Sequence, residues 1–339
     1  MRTPNHGARY DSIDVLRGFA CIWVMLSHYL PHWQQRFGST LILVSHDHGR
    51  DAVKLFFVIS GFVIFMTLEK CRRLADFAWM RFSRLYPAYL TSLVLATVIG
   101  WACFGSHIWP GGFLANMSML EEFLGFPRAD DVYWSLTVEL VFYLNVAAAF
   151  LLGWHRRPKL MLFIWLLTSL IWTHYHHDPL DINIKTGWAA RFFDLYYAPY
   201  FALGIVFYDA AKRGWSRTGA FLAVLAVAVE GMNHGLWRGA LLAAIIALIF
   251  QAGIRGYLKT LIGRPTLWLG AISYSLYLIH RTLGYETLDW LHEKGMGPGL
   301  AVPLVMAAAL ALATLLAYGV EKPALAKLRR VYKGSARQS

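Results

Sequence analysis

The sequence predicts an all-α protein, a polytopic transmembrane helix bundle of about ten spans with both termini cytoplasmic. Three observations carry that prediction. Apolar residues make up 57 % of the 339 and charged residues only 15 %, against roughly 45–50 % and 25 % in average soluble domains. Mean hydropathy is +0.44, and the apolar residues gather into runs that match the roughly 17–25 helical residues needed to cross a hydrocarbon core of about 30 Å. The basic residues behind the net charge of +12 and the pI near 9.7 lie mostly between those runs. This composition excludes disorder, collagen and a disulfide-stapled secreted domain. Cys21, Cys71 and Cys103 form neither a metal-like spacing nor an even disulfide set.

The runs lie near residues 13–31, 52–68, 86–104, 132–154, 160–175, 195–211, 218–232, 236–253, 266–288 and 300–319. The first contains Arg17 and lacks a small-residue cleavage site, so it reads as a retained span and not a signal peptide. Orientation follows from Lys and Arg. With the N-terminus inside, the cytoplasmic segments collect Arg9, Lys70, Arg72, Arg73, Arg156, Arg157, Lys159, Lys212, Arg213, Lys259 and the tail from Lys322 onward. The outer loops take acids such as Asp47, Glu121, Glu122, Asp130, Asp131 and Asp289. Topology therefore accounts for the basic pI, and no nucleic-acid partner is expected.

Two segments depart from simple spans and loops. Residues 72–85 alternate basic and apolar positions at helical spacing, which predicts a short helix lying on the cytoplasmic interface. Residues 105–131 form the longest outer loop, with Pro110, Gly111-Gly112 and Pro127. No direct or inverted repeat suggests a transporter built from duplicated halves. Residues 1–321 read as one integral membrane domain and 322–339 as a basic cytoplasmic tail.

Ionisable groups at bilayer depth are costly, so each is a functional candidate. Arg17 and His28 share one face of the first span, eleven residues and about 16.5 Å apart along the axis. His28 can serve as a base near neutral pH, whereas Arg17 is a fixed cation. The bland reading has Arg17 snorkelling to headgroups and His28 capping a helix end before Pro31. Arg81 and Arg84 project together from one face, which suits either a pyrophosphate or anionic lipid headgroups. In the fourth span Ser135 and Glu139 share a face just after Trp134, with Glu139 about a turn and a half below the outer surface and turned into the bundle. Tyr274, Tyr277 and His280 recur every third residue in the ninth span, as part of a site or as an aromatic belt. Ser60-Gly61 reads as small-residue helix packing. The pairs His28/His32 and His46/His48 and the group His174, His176 and His177 raise a metal reading. Pro31 interrupts the first pair and no cysteine stands near, so no metal is expected.

Six blocks in order resemble the membrane acyltransferase type 3 family, bacterial polytopic enzymes that place acyl groups on extracytoplasmic glycans and lipids. They are Ile13–Gly18 followed by His28 (an Arg-x10-His pattern), Phe56–Phe62, Arg81-Phe82-Ser83-Arg84-Leu85-Tyr86-Pro87, Tyr133–Glu139, Ile272–His280 and Glu321-Lys322-Pro323. The chain resembles the stand-alone form, without the hydrolase-like domain fused to many relatives. The resemblance implies a membrane O-acyltransferase, most simply an O-acetyltransferase. Acetyl-CoA or another acyl-CoA would be the donor, and the acceptor a hydroxyl of an exopolysaccharide, lipopolysaccharide or lipid-linked sugar. By that resemblance His28 is the base or acyl carrier, Arg17 and Glu139 complete the catalytic set, and Arg81 and Arg84 hold the donor phosphates. Trp134, Ser135, Tyr277 and His280 support the acceptor or His28. The surroundings are the lipids of a bacterial inner membrane. A proton-coupled transporter or a non-catalytic glycan-assembly protein would also place His, Glu and Arg in its spans.

Overall fold

The computed structural model describes residues 6–38, 45–104, 110–175 and 184–335. Among these residues the chain is helical throughout, with no strand. The helices are α1 (His6–Phe37), α2 (His46–Leu68), α3 (Leu74–Phe104), α4 (Pro110–Met117), α5 (Trp134–Leu151), α6 (Pro158–Tyr175), α7 (Ile184–Phe192), α8 (Ala198–Arg213), α9 (Arg217–His234), α10 (Leu236–Arg255), α11 (Arg264–Glu293), α12 (Pro298–Leu316) and α13 (Lys322–Ser335). A π-turn, Ala317–Glu321, joins α12 to α13.

Each of the ten apolar runs falls on a helix. Six segments are long and apolar enough to cross a bilayer: Asp11–Phe37, Asp47–Leu68, Leu74–Ala102, Asp131–Leu151, Leu236–Arg255 and Pro298–Tyr332. The chain is a multi-pass membrane protein. The short interfacial helix expected at 72–85 is not a separate element. Residues 74–85 are the first turns of the 31-residue α3, which runs straight through Pro87. A proline's lost N–H is tolerated within a membrane helix, and Thr91 Oγ1, one turn on, donates to the Pro87 carbonyl at 2.9 Å.

The chain divides into two compact units. The first comprises residues 1–16, 53–77 and 138–263. Here α2 and α8 touch backbone to backbone: a Cβ at Gly61 would strike the Phe201 carbonyl, and one at Gly204 the Val58 carbonyl. Gly61 thus serves close helix packing, as a small residue there suggests. Beside it Glu230, fully buried, accepts from Lys54 Nζ at 3.1 Å and Tyr200 Oη at 2.8 Å, with His234 Nδ1 at 2.9 Å.

The second unit comprises residues 17–52, 78–137 and 264–339. Its spine is the pair α1 and α11. Gly18 packs on Gly270, Cys21 Sγ donates to the Ser273 carbonyl, and Tyr29 Oη donates to the His280 carbonyl at 2.7 Å with its ring against Gly284. Residue numbers rise together along the contact, so the two helices run parallel.

The segment expected as an outer loop folds back instead. Phe104 ends α3, yet Tyr89, about 22 Å earlier along that helix, donates to the Asn116 carbonyl at 2.6 Å. Tyr86 Oη reaches the Ser118 carbonyl at 3.4 Å, and Tyr133 Oη donates to Ser92 Oγ at 3.1 Å. Non-helical backbone at membrane depth must be satisfied by protein. Asn116 does much of that here. Its Nδ2 donates to the Gly112 and Pro127 carbonyls, and its Oδ1 accepts from the Ala129 N–H, at 2.8–3.0 Å.

Candidate active site

The returning segment is fastened to the middle of α11. Asp130, buried, accepts from the Val132 and Thr282 backbone N–H groups, both at 3.1 Å. Arg281 pairs with Asp131 and lies 3.6 Å from Asp130. Tyr277 Oη donates to the Val132 carbonyl at 3.0 Å and lies 2.6 Å from Ser135 Oγ. Trp134, half-buried, opens α5 at this level. Ser135 and Tyr277, far apart in sequence, are therefore brought together as one contact.

His280, one turn past Tyr277, is 1 % exposed. Its Nδ1 donates to the Tyr277 carbonyl at 2.9 Å. In the neutral imidazole that bond places the lone pair on Nε2, a buried atom with no hydrogen-bond partner among the described residues. The His28 ring lies 5.2 Å away, centroid to centroid. His28 Nδ1 lies 3.0 Å from Tyr285 Oη. Two imidazoles, one from each spine helix, therefore face one small volume. His32 turns elsewhere, its Nε2 2.7 Å from Asp289 Oδ1, so the His28/His32 pair does not converge on a metal. His176 and His177, like the side chain of His46, lie outside the described residues.

Along the spine towards the N-terminal ends of α1 and α11 lies a basic cluster. Arg84 forms an ion pair with Glu321 of the π-turn and lies over the Tyr274 ring at 5.5 Å. Glu321 is 2 % exposed and its second oxygen accepts from Ser275 Oγ at 2.7 Å. Arg81 projects beside Arg84 from α3, and Arg329 of α13 is close enough for the three like charges to act on one another. Clustered guanidinium groups of this kind are a ready site for a polyanion. Arg17, half-buried, lies one residue before the Gly18–Gly270 contact on α1, at the same end of the spine. It does not meet His28, which is three turns further along.

Glu139 belongs to the first unit, where Ser60 Oγ donates to it at 2.8 Å and Tyr143 Oη at 2.6 Å. Sequence reasoning missed Tyr285, Asp130 and Arg329, and it placed Glu321 only as the close of the last span. Asp130 had no signal at all, looking like one more outer-loop acid.

The acyltransferase-domain family matches residues 10–318. Among curated proteins, the peptidoglycan O-acetyltransferase OatA of Listeria monocytogenes serovar 1/2a is 28 % identical over 327 residues, covering 82 % of this chain and 50 % of that protein. The chain thus spans about half the length of that relative. The acyltransferase MdmB of Streptomyces mycarofaciens is 24 % identical over 373 residues, covering 96 % of this chain and 94 % of its own. No solved structure matches the chain. A match that takes in both spine helices, the Arg81/Arg84 face and the returning segment leaves one conclusion: the chain belongs to this acyltransferase family.

Proposed function

We propose that the protein is a membrane O-acyltransferase that moves an acyl group, in the simplest case acetyl, from cytoplasmic acyl-CoA to a hydroxyl of an extracytoplasmic glycan or glycolipid. The observation that carries this reading is the layout of the second unit. A triple-arginine cluster and a facing pair of histidines lie at different levels of one parallel helix pair. The distance along α11 from Tyr274, beneath Arg84, to Tyr285, beside His28, is about 16.5 Å. That spacing suits a donor whose phosphates stay at one end while its thioester reaches the other. The glycan acceptor is supported by the peptidoglycan named for the Listeria relative.

In this mechanism Arg81, Arg84 and Arg329 bind the phosphates of the donor, and Arg17 lines the path of its arm. His28 accepts the proton of the acceptor hydroxyl as that oxygen attacks the thioester carbonyl. The carbon–sulfur bond then breaks, and the thiolate takes up the proton from His28. His280, oriented through the Tyr277 carbonyl, and the Ser135–Tyr277 pair shape the acceptor side, with Trp134 at the start of α5. Glu139 is held in the first unit by Ser60 and Tyr143 and is kept as a candidate from its place in the motif on α5. The protein sits in a bacterial inner membrane with both termini in the cytoplasm.

Thermal stability with added CoA or acetyl-CoA tests the donor half, because a ligand that binds only the folded state raises its melting temperature. A rise with CoA that is absent with pantetheine alone is the expected result. No rise with either would remove the donor assignment.

A further inference from the structure

On α1, His28, His32 and Arg36 recur every fourth residue, and on α11 so do Arg281, Tyr285 and Asp289. Four-residue spacing puts each trio on one helix face. Because the helices run parallel, the two stripes meet rung by rung. His28 Nδ1 lies 3.0 Å from Tyr285 Oη. The His32 ring stacks on the Tyr285 ring at 3.9 Å and 15°. His32 is held in turn by Asp289, at 2.7 Å, and Asp289 also takes Arg36 at 3.4 Å. The Arg281 guanidinium lies 5.0 Å over the Tyr285 ring and is itself fixed by Asp130 and Asp131. A tyrosine of a simple aromatic belt needs none of these ties.

We propose that Tyr285 is a positioning residue for His28: the Nδ1–H donates to Tyr285 Oη, which fixes the imidazole plane and leaves the basic lone pair on Nε2. A base whose second nitrogen is held by another group is the common arrangement where a histidine must take a proton in one orientation. A neutral phenol serves here where a carboxylate often does. The stacked His32, anchored by Asp289, keeps the phenol from swinging away. This inference rests on the reading of His28 as the base.

The test compares Tyr285→Phe with His28→Gln in the full-length detergent-solubilised protein. The probe is acetyl-CoA, with total surface glycan of the source cells as acceptor. Tyr285→Phe keeps the ring and its stack on His32 and removes one hydroxyl. The expected result is a fall in kcat of about 10- to 100-fold, the scale of losing one orienting hydrogen bond. KM for acetyl-CoA and the melting temperature should stay unchanged. If Tyr285→Phe lowers the melting temperature, His32→Phe, which keeps the stack but drops the tie to Asp289, should still lower kcat several-fold at unchanged KM. Wild-type kcat in Tyr285→Phe with an inactive His28→Gln would overturn the positioning role and leave His28 as base. A raised KM at unchanged kcat would overturn it equally, making Tyr285 a binding group. Wild-type turnover in His28→Gln would remove both this inference and the reading beneath it.

Discussion

Arg84 shows how one side chain can be held for a task. Its guanidinium is neither loose nor spent on solvent, because the buried Glu321 grips one edge and Tyr274 lies beneath it. Glu321 is in turn fixed by Ser275, so a cation is presented in one place instead of sampling many. Removing both Arg81 and Arg84 as Ala should raise KM for acetyl-CoA by at least about tenfold, the size of one charge-assisted hydrogen bond, while the chain still inserts. Isothermal titration with CoA checks it, and unchanged affinity would return both residues to lipid anchoring. The spacing of Arg81 and Arg84 was legible in the sequence. Arg329 was not, since only the fold brings α13 beside α3.

A second residue-scale case lies just past the end of α2. Burial pushes the Glu69 carboxyl up, but hydrogen bonds from Lys212 and Tyr208 and the charges of Lys212 and Arg213 outweigh it, holding the carboxyl below its ordinary range. A carboxylate depressed in the folded state adds stability above its unfolded pKa and loses it as pH falls through the folded value. Glu69→Gln should therefore lower the melting temperature slightly at pH 7, and the difference from wild type should close as pH drops below about 4. Melting curves from pH 7 to pH 3 decide it; a gap that persists at the acid end would assign the effect to packing.

At the scale of elements, the returning segment between α3 and α5 is the part the sequence hid. Its prolines, glycines and acids are ordinary loop composition, and periodicity has nothing to say about a chain that folds back without a long helix. Its depth depends on distant partners, Tyr86, Tyr89 and Ser92 on α3 and Tyr277 and Thr282 on α11. The long helices were legible because bilayer thickness imposes their length and apolarity. The interfacial helix was misread for a related reason: basic residues near a membrane surface look alike whether the helix lies flat or continues inward, as α3 does. Asn116 is the latch of the returning segment. Asn116→Ala strips partners from the Gly112 and Pro127 carbonyls and the Ala129 N–H. The first of these bonds is buried and the other two part-buried, and a group left unsatisfied away from water costs about 1–3 kcal/mol. The variant should melt well below wild type and lose most transfer, because Ser135 and Asp130 sit on the segment it releases. An unchanged melting temperature with full activity would mean the segment is held without it.

For the whole molecule, the proposal that both termini are cytoplasmic rests on charge placement and helix direction. The basic segments after α2, between α5 and α6, between α8 and α9 and along α13 fall on one side if the spans alternate. The parallel α1 and α11 require an even number of reversals between them. A reporter fused after Ser339 should be active only if it reads the cytoplasm, and activity of a reporter that works only outside would contradict the topology. In the proposed mechanism His28 transfers the proton that lets a sugar hydroxyl take an acyl group from a CoA thioester. The most direct measurement is acetyl transfer by the purified chain from labelled acetyl-CoA to surface glycan, wild type beside His28→Gln. Glutamine keeps much of the size and an amide but cannot take up a proton near neutral pH, and loss of a placed base costs about 10²–10⁴ in rate. Labelled glycan is expected from the wild type, and at least a hundredfold less from His28→Gln at equal folding. Equal labelling by the two proteins would contradict it.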